Sequence, residues 1–115
     1  EKPTYSSSSS FELDNNTFYS LFNLELLTLS NLGIKHLDAL QLTNLIRLKE
    51  LNLNGNNLES LDFLEFAEFY ANLRILRLNN NKLNRKFPRV FFINMIYLEL
   101  LDLSQNQLKN ISDIG

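Results

Sequence analysis

The side chains best suited to chemistry in this chain are few and scattered. It has one histidine, His36, the residue type that titrates near neutrality. No serine–histidine–aspartate set can be placed around it, so nucleophilic hydrolysis has no candidate centre. Cysteine is absent, which removes disulfides and cysteine-based zinc sites. HExxH, CxxC, P-loop and GxGxxG spacings are missing, and the chain has three glycines in all. His36 reads as a surface residue of a loop. No catalytic residue, metal site or cofactor is expected.

Two charged clusters remain. The carboxylates of residues 59–68 are spaced like the solvated face of a helix. Lys82, Arg85, Lys86 and Arg89 follow about one repeat later. Mutual charge balance is the favoured reading of this pair, with ligand binding the alternative. Two sequons, Asn15-Asn16-Thr17 and Asn110-Ile111-Ser112, mark Asn15 and Asn110 as glycosylation acceptors. A chain this rich in asparagine, serine and threonine has about two by chance, so they say little about secretion.

The elements that position such residues follow from composition and periodicity. A length of 115 residues allows one domain. At 44% hydrophobic the chain can build a core, and 21% charged is ordinary for a soluble protein. The net charge of −2 supplies no basic field for nucleic acid and no cationic face for acidic membranes. No apolar run approaches the roughly 18 residues a membrane span needs. No signal-peptide pattern is visible. The first residue is Glu1, so a preceding segment is expected. Lack of cysteine suits a reducing compartment, and equally an excerpt of a longer secreted chain.

An eleven-residue pattern recurs at 24 (LELLTLSNLGI), 48 (LKELNLNGNNL), 73 (LRILRLNNNKL) and 98 (LELLDLSQNQL). Every copy has leucine at positions one, four and six. Every copy has leucine or isoleucine at position eleven. Positions four and six lie two apart and share one face of a strand. They are Leu27 and Leu29, Leu51 and Leu53, Leu76 and Leu78, Leu101 and Leu103. One copy cannot bury that face alone, but stacked copies can, as parallel strands ~4.8 Å apart. The 13 or 14 residues between copies meet the length a parallel crossover requires.

Position nine holds Asn56, Asn81 and Asn106, and Leu32 in the first copy. Asparagine is a poor strand residue. Where a strand ends and the chain turns inward, however, backbone groups would be buried without partners. An amide side chain carries both donors and an acceptor to satisfy them. Repeated in stacked coils, it can bond the backbone of its own turn and the next. Leu32 then marks a coil near an end of the array.

This pattern resembles the leucine-rich repeat family, LxxLxLxxNxL, over roughly residues 18–111. The resemblance implies an α/β solenoid with a parallel sheet on its concave face and short helices or loops on its convex face. It implies that Asn56, Asn81 and Asn106 form an asparagine ladder. Repeats of about 24 residues with an aromatic late in the return segment are similar to the extracellular subclass. Residues 11–115 form the repeat domain, with 11–23 as a degenerate leading half-repeat. There Phe18 and Leu21 precede Leu24 at the family's spacing. Residues 1–10, with the run YSSSSS, read as a flexible segment, a capping strand being the alternative. A short helix is expected over 62–70 and a looser turn over 37–45. Pro88 fits a loop or the first turn of a helix, with Phe92, Met95 and Ile96 pointing to the core.

Positions three, five and seven point away from the core. The partner-binding candidates there are Leu26, Thr28, Glu50, Asn52, Ile75, Arg77, Leu100 and Asp102. Ile75 and Leu100 would make a small apolar patch flanked by Arg77 and Asp102. The competing reading is a plain cross-strand Arg77–Asp102 pair. Four strands of five residues give a face of a few hundred Å², below the roughly 800 Å² per partner of a standard interface. The expected function is non-catalytic recognition of a protein or peptide, within a larger receptor-like or secreted protein. The alternative is a scaffold that self-associates through uncapped repeat ends.

Overall fold

The computed structural model describes residues 17–38, 41–61, 71–84 and 95–108. Four strands within them form one sheet in chain order. They are β1 (Leu26–Thr28), β2 (Glu50–Asn52), β3 (Ile75–Arg77) and β4 (Leu100–Asp102). All pairings are parallel, and the register is that of the repeat. Leu27 pairs with Leu51, Leu51 with Leu76, and Leu76 with Leu101. Each repeat is thus one coil of a solenoid.

The core follows the leucine columns. Leu51, Leu53, Leu76 and Leu78 are fully buried. Leu27, Leu101 and Leu103 are only partly covered. Coils two and three have a described neighbour on both sides, and coils one and four on one side. Each fully buried leucine contributes roughly 1.5–3 kcal/mol, so the middle coils hold most of the stabilisation.

The strands are three residues long, not five. They end at position five, and three residues further on position eight is left-handed in every coil: Asn31 (φ 59°), Gly55 (φ 74°), Asn80 (φ 57°) and Gln105 (φ 54°). A left-handed residue breaks the extended path and swings the chain toward the core. Coil-to-coil bonding outlasts the strands. The Leu29 N–H donates to the Asn52 carbonyl (2.8 Å), and the Asn57 N–H to the Ile34 carbonyl (2.8 Å).

Helix is nearly absent among the described residues, where only Gln41 has 3₁₀ geometry. The helix expected over 62–70 and the Pro88 segment lie outside them, as do residues 1–10. In the described part of 37–45 the chain turns, the Leu45 N–H bonding the Leu42 carbonyl (3.1 Å). Phe18 and Met95 are buried as expected, but Leu21 is 42% exposed and Ile96 73% exposed. The cause for Ile96 is local. Leu98 N–H bonds the Met95 carbonyl (3.1 Å), closing a turn whose corner throws the Ile96 side chain outward.

Candidate functional site

Two surfaces meet at the end of each strand: an inner column of asparagines and the outer face of the sheet. Asn56 and Asn81 are buried, Asn106 partly so. The Asn56 side-chain N–H groups donate to the carbonyls of Leu29 (2.8 Å) and Leu53 (2.9 Å), and its Oδ1 accepts from Leu32 and Ile34 N–H, both at 3.0 Å. Asn81 donates to Leu53 (3.0 Å) and Leu78 (3.1 Å) and accepts from Leu58 (3.0 Å). Asn106 donates to Leu78 (2.9 Å) and Leu103 (3.0 Å) and accepts from Leu83 (2.9 Å). The bonds thus run to the residue's own coil and the preceding one, not to the next as expected. An asparagine at position 32 would reach back to residues outside the described ones.

On the outer face, position three holds Leu26 (54% exposed), Glu50, Ile75 and Leu100 (37% exposed). Ile75 is only half-exposed, so the expected Ile75–Leu100 patch is smaller than the sequence suggested, and Leu26 is the most open member of the column. Thr28 is exposed, and Asn52, Arg77 and Asp102 are half-exposed. Arg77 and Asp102 are register partners, yet among the described residues no ion pair joins them; Lys49–Glu25 (3.6 Å) and His36–Asp38 (3.4 Å) are the pairs formed there.

Positions five and seven follow a local rule. The Asn52 side-chain oxygen accepts the Asn54 N–H (3.0 Å), and Asp102 accepts both the N–H (3.0 Å) and the hydroxyl (2.6 Å) of Ser104. These short loops cap the strand exit in coils two and four. The Ser104 hydroxyl, then its N–H, hold the Asp102 carboxyl below its ordinary range; partial burial opposes them, and the Arg77 charge adds a smaller lowering. Coils one and three depart from this rule: in coil one the Ser30 hydroxyl donates instead to the Asn54 Oδ1 of the next coil (2.6 Å). In coil three Arg77 occupies position five and cannot accept a hydrogen bond, and the Asn79 Oδ1 is buried without a partner.

Position two is also charged, as Glu25, Lys49, Arg74 and Glu99, and its exposed members Glu25, Arg74 and Glu99 extend the face. Sequence reasoning passes over this column because the two-residue alternation of a strand assigns it to the inner side. Glu59 and Lys82, the described members of the two charged clusters, line one open polar groove of about 480 Å³ with Lys35 and Asn57. Among the described residues no ion pair joins them. The sequons at Asn15 and Asn110 lie outside the described residues. No helix among the described residues is long and apolar enough to cross a membrane.

A family model for the Leucine Rich Repeat matches residues 47–69 and 72–92. With four parallel strands stacked at that period, the chain carries leucine-rich repeats. Such repeats suggest a protein–protein interaction module, and domains of this kind are in general non-catalytic recognition modules. No curated protein matches the chain.

Proposed function

We propose that this chain recognises a protein partner on the open sheet face, centred on the third coil, and that it does so without catalysis. Arg77 carries the reading. An asparagine or aspartate there would cap the strand exit, as Asn52 and Asp102 do in their coils. Arginine forgoes that cap and forms no ion pair among the described residues in return. One such hydrogen bond is worth about 0.5–1.5 kcal/mol. A position kept against local stability is accounted for by what it contacts in a complex. Arginine is the side chain most enriched at interface hot spots, together with tryptophan and tyrosine.

We place the chain in a larger extracellular or cell-surface protein of receptor type. The support is the repeat length of 24–25 residues and the position-nine asparagines serving as a ladder. A panel of recombinant ectodomains that includes this chain itself, screened by biolayer interferometry, tests the reading. At least one should bind, and Arg77→Glu should weaken that binding tenfold or more while the thermal melt stays within a few degrees. Binding indifferent to Arg77, or no binding across the panel, contradicts it.

A second reading has one specific observation behind it. Leu98, Leu101, Leu103 and Leu108 pack against the core yet remain partly uncovered on the β4 side. Association through that end would cover them.

A further inference from the structure

Coils three and four carry opposite charge at matching positions. Position two is Arg74 in coil three and Glu99 in coil four. Position five is Arg77 in one and Asp102 in the other. Position three, between them, is Ile75 in one and Leu100 in the other. Among the described residues no ion pair joins coils three and four, the Arg77 charge adding only the smallest of the effects on the Asp102 carboxyl, whereas Glu25 and Lys49 do pair across coils one and two at 3.6 Å. The two neighbouring coils therefore present a cationic stripe beside an anionic one, with an apolar line through both.

Such a pattern is its own complement. Consider a two-fold axis lying along the strands, between β3 and β4, with two sheets face to face. It sets coil three of one copy over coil four of the other. Arg74 then opposes Glu99 of the second copy, Ile75 opposes Leu100, and Arg77 opposes Asp102, and each contact occurs twice. This is the isologous arrangement that closed dimers require. The opposite pairing, coil three on coil three, would stack like charges and is disfavoured.

The same axis brings together the two leading rims, where the chain turns into each strand. The turns of coils one, two and four are closed by bonds from Leu24 N–H to the Leu21 carbonyl (3.2 Å), Leu48 to Leu45 (3.2 Å) and Leu98 to Met95 (3.1 Å). Their corners hold Phe22 (47% exposed), Ile46 (48%) and Ile96 (73%). Turn corners ordinarily carry glycine, proline, asparagine, aspartate or serine. The turns of coils two and three are tied together, the Asn72 side chain donating to the Ile46 carbonyl (3.1 Å); coil three has Ala71 at the matching corner, so Ile96 is the large apolar corner within the overlapped coils. The position-eight residues of the opposite rim, Asn31, Gly55, Asn80 and Gln105, offer no such corner.

We infer that the partner this face fits is a second copy of the chain, docked face to face about a two-fold axis between coils three and four, through Arg74–Glu99, Ile75–Leu100 and Arg77–Asp102 contacts. The inference rests on the recognition reading above and names the occupant of that face. Only coils three and four of each copy overlap about this axis, and their three-residue strands give a sheet area on the order of 100 Å², far below the roughly 800 Å² per partner of a standard interface. The dimer is accordingly weak, helped by the Ile96 corner, and sensitive to salt.

Sedimentation velocity over a concentration series tests it. Dimer should accumulate at high protein concentration in low salt and weaken at least tenfold at 0.5 M salt. R74E/R77E and E99K/D102K should each be monomeric, and an equimolar mixture of the two should recover the dimer. That recovery cannot come from unfolded chains. Ile96→Ser should weaken association without changing its salt dependence. A monomer at every concentration overturns the inference, leaving recognition of other proteins to be judged by the ectodomain panel. A dimer that survives both charge reversals also overturns it, in favour of association through the uncovered β4 end.

Discussion

Asn56 and Asn81 share an acceptor. The Leu53 carbonyl takes a hydrogen bond from each, at 2.9 and 3.0 Å. The Leu78 carbonyl is shared in the same way by Asn81 and Asn106. Removing one asparagine leaves the shared carbonyl satisfied, and removing both orphans it in the core. The double variant Asn56→Ala/Asn81→Ala should therefore lose about 1–3 kcal/mol more than the sum of the single variants. Urea denaturation of the four proteins measures this coupling. Strict additivity would show that the shared carbonyl is satisfied some other way.

Position 32 behaves differently. Its backbone N–H is already held by Asn56, and among the described residues an asparagine there would find only the Leu29 carbonyl of its own coil, to share with Asn56, and no carbonyl of a preceding coil. Leu32→Asn should shift the melting temperature by no more than a few degrees. A rise of many degrees would make it an ordinary member of the column.

Gln105 holds φ at 54°, a conformation that costs a residue with a Cβ roughly 1–2 kcal/mol. Gln105→Gly should raise stability by up to about 1 kcal/mol, part of the gain being offset by the greater freedom of glycine in the unfolded chain. The reverse change elsewhere in the column should be harmful. A Cβ at Gly55, where φ is 74°, would run into the Asn31 side-chain oxygen, so Gly55→Ala should destabilise. Thermal melts of both variants decide; equal and negligible shifts would mean that the position-eight geometry is not held.

Asp102 is an acid whose folded form favours the carboxylate, through the Ser104 hydroxyl first and the Ser104 N–H second. A carboxyl lowered on folding adds stability above its unfolded pKa and loses it as pH falls through the folded value. Ser104→Ala removes the larger cause. In an NMR titration the Asp102 carboxyl of the variant should titrate closer to an ordinary aspartate, while wild type titrates below it. Coincident curves would show that the hydroxyl contact is absent in solution.

The register of the sheet is legible in the amino-acid letters alone, because four leucine columns at fixed spacing have one way of sharing a core. The depth of that core is legible too, and so is the weakness at Leu101 and Leu103. The strand length is not. The strands stop at position five, and the left-handed turn at position eight, with the letters Asn, Gly, Asn and Gln, shows only when they are read as a column. Ile96 runs against the expectation that an apolar residue seeks the core, because the turn closed by Met95 and Leu98 fixes its direction. The two-residue alternation points to positions three, five and seven as the outer face, but which of them matter depends on bonds not made. The missing cap at Arg77 and the unpartnered Asn79 Oδ1 are visible only against the hydrogen bonds of the neighbouring coils.

The stacking of coils, each sealed by the next, is best tested by NOE spectroscopy on a chain with methyl-labelled leucines. Strands ~4.8 Å apart in register predict strong methyl contacts from Leu51 to Leu76 and from Leu76 to Leu101, and none from Leu51 to Leu101. Absence of the first two, or a direct Leu51–Leu101 contact, would contradict the solenoid and everything built on its face.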